Sequence, residues 1–162
     1  MSEPAYAPPL TARGARGVTA TPSEAPAAGR DDPSIVPDAA GRQVLIVEDE
    51  PGLAEVLAVH LQASGYQPIV ANDGLEALYA LDRVTPRAVL LDLHLPQVSG
   101  FRLIRLLKQR PDMPQVPVIV LTALSFQEAE DAVRAGADDF VTKPFLPAEV
   151  VTRVDRLIDR LS

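Results

Sequence analysis

The 162-residue chain contains no Cys and no Trp, two His and only two Lys, Lys108 and Lys143. Without Cys there is no disulfide framework, no thiolate nucleophile and no Cys-ligated zinc or iron–sulfur site. The same lack fits a reducing compartment, and a cytoplasmic location is expected. Long apolar runs are missing as well. The longest, such as Val118-Ile119-Val120-Leu121, fall far short of the roughly 18 residues of a membrane span. No apolar stretch precedes a cleavage-like site near the N-terminus, so no secretory leader is expected. Basic residues are in deficit, 15 against 22 acidic for a net charge of −7. That counts against a dedicated nucleic-acid binder, which needs a basic face.

Apolar residues are plentiful at 47%, enough to bury a core, and the length suits one domain with a tail. Proline is unevenly spread: seven of the sixteen fall in residues 1–41, with four of the nine Gly and a single aromatic, Tyr6. Such a Pro/Ala-rich segment buries too little apolar surface to offset the entropy of ordering, so 1–41 is expected to be a disordered tail. Arg13 and Arg16 hint at a targeting peptide, but Glu3, Glu24, Asp31 and Asp32 oppose it. Residues 42–162 are the expected folded domain.

From Gln43 onward, short apolar strands alternate with helical patterns. Val44–Val47 is a solid β-branched run ended by Glu48-Asp49-Glu50, as suits a central parallel strand. Pro51 opens a helix with Leu53, Val56, Leu57, His60 and Leu61 on its apolar face, closed by Gly65. Pro68–Ala71 is the second strand, and Asp73 precedes a helix with Leu75, Leu78 and Leu81 inward. Ala88–Leu91 runs into Asp92, and Gly100 opens a helix carrying Phe101, Ile104 and Leu107. Pro117–Leu121 ends at Thr122, and a weaker helix spans about Ser125 to Gly136. Asp139–Thr142 runs into Lys143-Pro144, and Val150, Val154, Leu157, Ile158 and Leu161 mark the last helix. Five βα units in a row predict an α/β fold, a doubly wound parallel sheet in the flavodoxin-like order 2-1-3-4-5, whose ligands bind beyond the carboxyl ends of the strands.

The residues just past the strand ends carry the chemistry. Glu48 and Asp49 come after strand 1, Asp92 after strand 3, Thr122 after strand 4 and Lys143 after strand 5, so the expected strand order gathers them on one rim. Three carboxylates repel one another and a single Lys cannot neutralise them, which calls for a divalent cation. All-oxygen ligation with water suits Mg²⁺. Carboxylates, Mg²⁺, an ammonium and a hydroxyl together suit a phosphoryl group, and a carboxylate can be the nucleophile that accepts it.

Four segments in order, Val44-Leu45-Ile46-Val47-Glu48-Asp49-Glu50-Pro51, Leu91-Asp92-Leu93-His94-Leu95-Pro96 with Ser99-Gly100, Leu121-Thr122-Ala123, and Gly136 to Phe145, resemble the receiver domain of bacterial two-component response regulators. The resemblance covers about residues 42–161. It implies that Asp92 is the phospho-acceptor, and that Asp49, Asp92 and the backbone carbonyl of His94 ligate Mg²⁺, with Glu48 acting through water. It further implies that Lys143 pairs with a phosphoryl oxygen, that Thr122 and Phe140 form the switch, and that the Lys143–Pro144 peptide is cis. Phe140 stands where Tyr is frequent, so no hydroxyl acts there. The implied partners are a sensor histidine kinase or phosphotransfer protein upstream and a protein target downstream, met through the surface of helix 4, strand 5 and helix 5. The chain itself is then no enzyme in the ordinary sense, although it catalyses its own phosphotransfer and dephosphorylation.

Plainer readings stand beside these. Glu48, Asp49 and Glu50 suit any helix N-terminus, Thr122 any strand end, and Lys143 any solvated surface, although two Lys against thirteen Arg favour a specific use for a compact ammonium. His60 reads as a packing or boundary residue with no zinc partner at ligand spacing, His94 as a neighbour of the acidic site rather than a relay, and Phe101, Leu103, Ile104 and Leu107 as core. Asp139 and Arg153, with Asp138 and Arg156, match one branch of the family that forms a homodimer through helix 4–strand 5–helix 5. Asp131 and Asp155 stand where that branch carries basic residues, and a solvated charged face is an equal reading. The chain ends at Ser162 just past the last helix, so a stand-alone receiver is expected, without direct nucleic-acid contact. The rivals are a phosphorylation-independent interaction module, a transcriptional regulator acting through a partner and, more weakly, an aspartyl phosphatase.

Overall fold

The computed structural model describes residues 39–162 except 114 and 124. A 3-10 turn, Ala39–Arg42, takes in the last three residues of the segment read as a tail, and the rest of that reading lies outside the described residues. Ten elements then alternate: β1 (Gln43–Val47), α1 (Pro51–Ala63), β2 (Gln67–Ala71), α2 (Gly74–Leu81), β3 (Ala88–Leu91), α3 (Gly100–Gln109), β4 (Val118–Thr122), α4 (Phe126–Ala135), β5 (Asp139–Thr142) and α5 (Pro147–Leu161). All pairings are parallel, in the order β2-β1-β3-β4-β5. The predicted doubly wound sheet is therefore what the chain forms.

The two-residue period of β1 divides its side chains between two cores. Leu45 and Val47 join Ala77 and Leu81 of α2, Leu103, Ile104 and Leu107 of α3 and Ala132 of α4. Val44 and Ile46 join Leu57 and Leu61 of α1 and Val150, Val154 and Ile158 of α5. With both faces covered, β1, β3 and β4 are apolar at almost every position, as buried parallel strands require.

Helix ends obey local chemistry. Asp73 caps α2 by accepting from the Glu76 amide at 2.8 Å. Ser125 and Glu128 form a reciprocal capping box on α4. Gly65 and Gly136 leave α1 and α4 at φ +86° and +115°, values that disfavour any residue with a Cβ.

Four inward assignments do not hold. Leu75 is exposed because α2 begins at Gly74 and buries Gly74, Ala77 and Leu81. Val56, His60 and Leu161 are also exposed: Ala54, Leu57 and Leu61 form the buried seam of α1, and Leu161 lies in the final turn of α5. The His60 ring nitrogen Nδ1 instead meets the Val56 carbonyl at 2.8 Å. No helix among the described residues is long and apolar enough to cross a membrane.

Candidate functional site

Backbone bonds carry the sheet one step past its strands and thereby aim the site. The Glu48 amide donates to Ala71 O at 3.1 Å, the Asp92 amide to Val47 O at 2.9 Å, and the Lys143 amide to Thr122 O at 3.0 Å. Glu48, Asp92 and Thr122 are the three buried polar or charged side chains among the described residues. A buried polar group has to be paired or used.

Lys143 meets that demand for two of them. Its Nζ lies 2.9 Å from Glu48 Oε2 and 2.9 Å from Asp92 Oδ2. Burial alone would lower the Lys143 pKa, but the hydrogen bonds from its ammonium to Asp92 and Glu48 outweigh it and raise the value. Burial pushes the Glu48 carboxyl above its ordinary range, against the opposing hydrogen bonds from Lys143 and the Glu50 amide. The sequence-based reading treats Glu48 as a carboxylate acting through water. In the fold it is also one half of a buried ion pair.

Asp49, exposed at the mouth, completes the acidic group: ligand oxygens of Glu48, Asp49 and Asp92 lie within 4.8 Å of one another. Three carboxylates with one ammonium leave net negative charge among hard oxygen donors. That donor set fits a small divalent cation such as Mg²⁺. The backbone turns tightly beneath it. The His94 amide donates to Asp92 Oδ1 at 2.9 Å, and a Cβ on Gly100 would lie 2.6 Å from Leu93 Cα and 2.8 Å from Asp92 O. The N-terminus of α3 therefore approaches Asp92 only because residue 100 has no side chain. The Lys143–Pro144 peptide is cis, as expected.

Thr122 Oγ1 stands 3.4 Å from His94 Nδ1. Phe140 is 40% exposed on β5, whose register pairs it with Val120 and pairs Thr142 with Thr122. The fold thus gathers Glu48, Asp49, Asp92, Thr122 and Lys143 at one end of the sheet. Phe140 is exposed on β5, and His60, exposed on α1, has its ring nitrogen on the Val56 carbonyl.

Glu128 belongs to this neighbourhood and no sequence signal pointed to its contact. Its Oε1 lies 3.2 Å from His94 Nε2. The Ser125-Phe126-Gln127-Glu128 spacing is legible as a cap, but the reach to a loop 34 residues earlier is not.

The comparisons with known proteins agree with this geometry. Residues 44–155 match the family described as the response regulator receiver domain. The phosphate regulon transcriptional regulatory protein PhoB of Escherichia coli (strain K12) is 40% identical over 124 residues, 75% of this chain and 53% of that protein. The DNA-binding response regulator MtrA of Mycolicibacterium smegmatis is 40% identical over 120 residues, 72% of this chain and 50% of that one. The chain thus spans about half the length of the curated relatives it matches. Among solved structures, the receiver domain of sensor histidine kinase PA1611 from Pseudomonas aeruginosa PAO1, which carries a magnesium ion in its active-site cleft, superposes with a TM-score of 0.68 at 32% identity, covering 74% of this chain and 98% of that one. The receiver domain of a signal transduction histidine kinase from Syntrophus aciditrophicus gives 0.70 at 36% identity, covering 75% and 93%. The chain belongs to the response regulator receiver family, whose members are phosphorylation-switched signalling domains of two-component systems.

Proposed function

We propose that Asp92 accepts a phosphoryl group from the phosphohistidine of a sensor histidine kinase or phosphotransfer protein. The supporting observation is the buried Asp92 carboxylate held 2.9 Å from Lys143 Nζ inside an acidic pocket whose exposed member is Asp49. One Asp92 oxygen forms the bond to phosphorus as the phosphorus–nitrogen bond breaks and the departing imidazole keeps the electron pair. Asp49, Asp92 and the His94 carbonyl would hold Mg²⁺, with Glu48 reached through water; when bound, the ion neutralises phosphoryl oxygens. Lys143 pairs with one phosphoryl oxygen and Thr122 donates its hydroxyl proton to another. Water attack on the acyl phosphate resets the domain.

The output is a two-state surface. As Thr122 moves toward the phosphoryl group, Phe140 turns inward and the face of α4, β5 and α5 repacks. In the resting arrangement Phe126 (81% exposed), Val133 and Phe140 line one apolar hollow on that face, a surface suited to a downstream protein. A homodimer through the same face is proposed beside it. Asp131 and Asp155 are the two residues that count against that dimer, and one objection weakens: Asp155 accepts from the Tyr66 hydroxyl at 2.5 Å, on the side of α5 that faces α1. Asp131 is engaged within its own helix by Gln127 and Arg134. Asp139 is already held by Arg153 and Arg156 of its own chain, so a dimer has to form over these pairs or exchange them.

Cytoplasmic location, the absence of direct nucleic-acid contact by residues 42–162, and the division into a tail and a receiver belong to the same proposal. The net charge of −5 over residues 42–162, 12 basic against 17 acidic, supports the second of these. The switch is tested by NMR of Phe140 with Mg²⁺ and beryllofluoride, a phosphoryl mimic. Its ring resonances should shift in the wild type and stay put in Thr122→Val. Equal shifts in both proteins would remove Thr122 from the switch.

A further inference from the structure

Thr122 Oγ1 is fully buried, and among the described residues it has one hydrogen-bond partner, His94 Nδ1 at 3.4 Å. The other ring nitrogen, Nε2, faces Glu128 Oε1 at 3.2 Å. The second Glu128 oxygen, Oε2, accepts from the Ser125 amide at 3.1 Å and the Ser125 hydroxyl at 3.0 Å. Those bonds, the amide first, hold the Glu128 carboxyl below its ordinary range. A carboxylate can only accept, so the Nε2 that faces it carries the proton. In that Nε2–H tautomer Nδ1 is the acceptor, and the buried Thr122 hydroxyl is the donor. The Ser125 pair fixes Glu128 at the first turn of α4, which places the far end of the chain on a rigid element.

We infer that Glu128 is a positioning residue for the switch: through the His94 tautomer it engages the Thr122 hydroxyl proton in the resting state. The inference rests on the phospho-acceptor reading of Asp92. A hydroxyl has one proton. While Thr122 donates it to His94 Nδ1 it cannot donate it to a phosphoryl oxygen, so activation has to break this contact. Once it breaks, His94 no longer ties the loop after β3 to both Thr122 and the start of α4. The phosphorylation state of the pocket is thereby linked to the N-terminal turn of α4, one edge of the proposed output face.

Two measurements decide the point. Imidazole ¹⁵N NMR of the resting full chain should show His94 as the Nε2–H tautomer; a resting Nδ1–H tautomer or a doubly protonated ring would overturn the inference, and this reading needs no phosphorylation. Glu128→Gln then reverses the logic while keeping the cap. Its amide oxygen is best used by the two Ser125 donors, which turns the NH₂ toward Nε2 and shifts the proton of His94 to Nδ1. Thr122 becomes the acceptor and its proton is free. Beryllofluoride should bind Glu128→Gln about two- to fivefold more tightly than wild type, the scale expected of one modest hydrogen bond. His94→Leu, which removes the acceptor outright, should change affinity in the same direction. Normal labelling of Asp92 with unchanged mimic affinity in both variants overturns the positioning role alone. Absence of labelling in the wild type overturns the phospho-acceptor reading beneath it.

Discussion

The Lys143 ammonium lies 2.9 Å from Asp92 Oδ2, joining the residue directly after β5 to the residue directly after β3. The contact spans 51 residues of sequence and exists because β4 alone separates the two strands. The same ammonium also holds Glu48, so it is the counter-charge with which the proposed Mg²⁺ would share the carboxylates.

That sharing sets opposite outcomes for two substitutions in a magnesium titration. Lys143→Ala removes a repelling positive charge and should bind Mg²⁺ more tightly, by about three- to tenfold given the attenuated Coulomb interaction of a partly buried site. Asp49→Ala should lose most of the rise in melting temperature that Mg²⁺ produces in the wild type. Equal Mg²⁺ affinity in all three proteins would place the cation elsewhere.

The pH dependence of stability should carry the mark of Glu48. Its folded pKa lies above the ordinary value of 4.5, so between those two values the folded state holds more protons than the unfolded state. Stability from this group is therefore complete below about 4.5 and declines as pH rises through the folded value. In urea titrations without Mg²⁺, the stability of wild type minus that of Glu48→Gln should fall as pH is raised from acid toward neutral. A difference that grows with pH would mean that the Lys143 pair outweighs burial.

The close approach of α3 to Asp92 makes Gly100 sensitive. A methyl group there meets Leu93 Cα at 2.6 Å and Asp92 O at 2.8 Å, contacts with backbone that cannot swing away. Gly100→Ala should lose about 1–3 kcal/mol, the usual scale of overpacking. The expected sign is a lower urea midpoint with an unchanged slope. An unchanged midpoint would show that the loop after β3 yields.

Much of this was legible before the fold. Asp139–Thr142 is read to the residue as a strand, from the Phe-Val pair and β-branched Thr that stop at Lys143-Pro144. The site residues could be picked out from the strand ends, since a parallel sheet brings those ends to one edge. Leu161 is misplaced because it falls in the last turn of α5, and the other three because of how α1 and α2 pack. Leu75, Val56 and His60 match a helical period, but the period fixes only a stripe, and small residues such as Gly74, Ala77 and Ala54 take the tightest places. The pairing of Glu48 with Lys143 and the contact of Glu128 with His94 were not legible. Each joins side chains far apart in sequence, 95 and 34 residues, and depends on distances of a few ångströms that no spacing encodes.

The most direct test is mass spectrometry of the protein incubated with Mg²⁺ and a small phosphoryl donor. The account predicts one hydroxylamine-sensitive acyl phosphate on the wild type, mapped to Asp92, and none on Asp92→Asn. Equal labelling of Asp92→Asn, or a phosphate mapped to any other residue of the wild type, would contradict it.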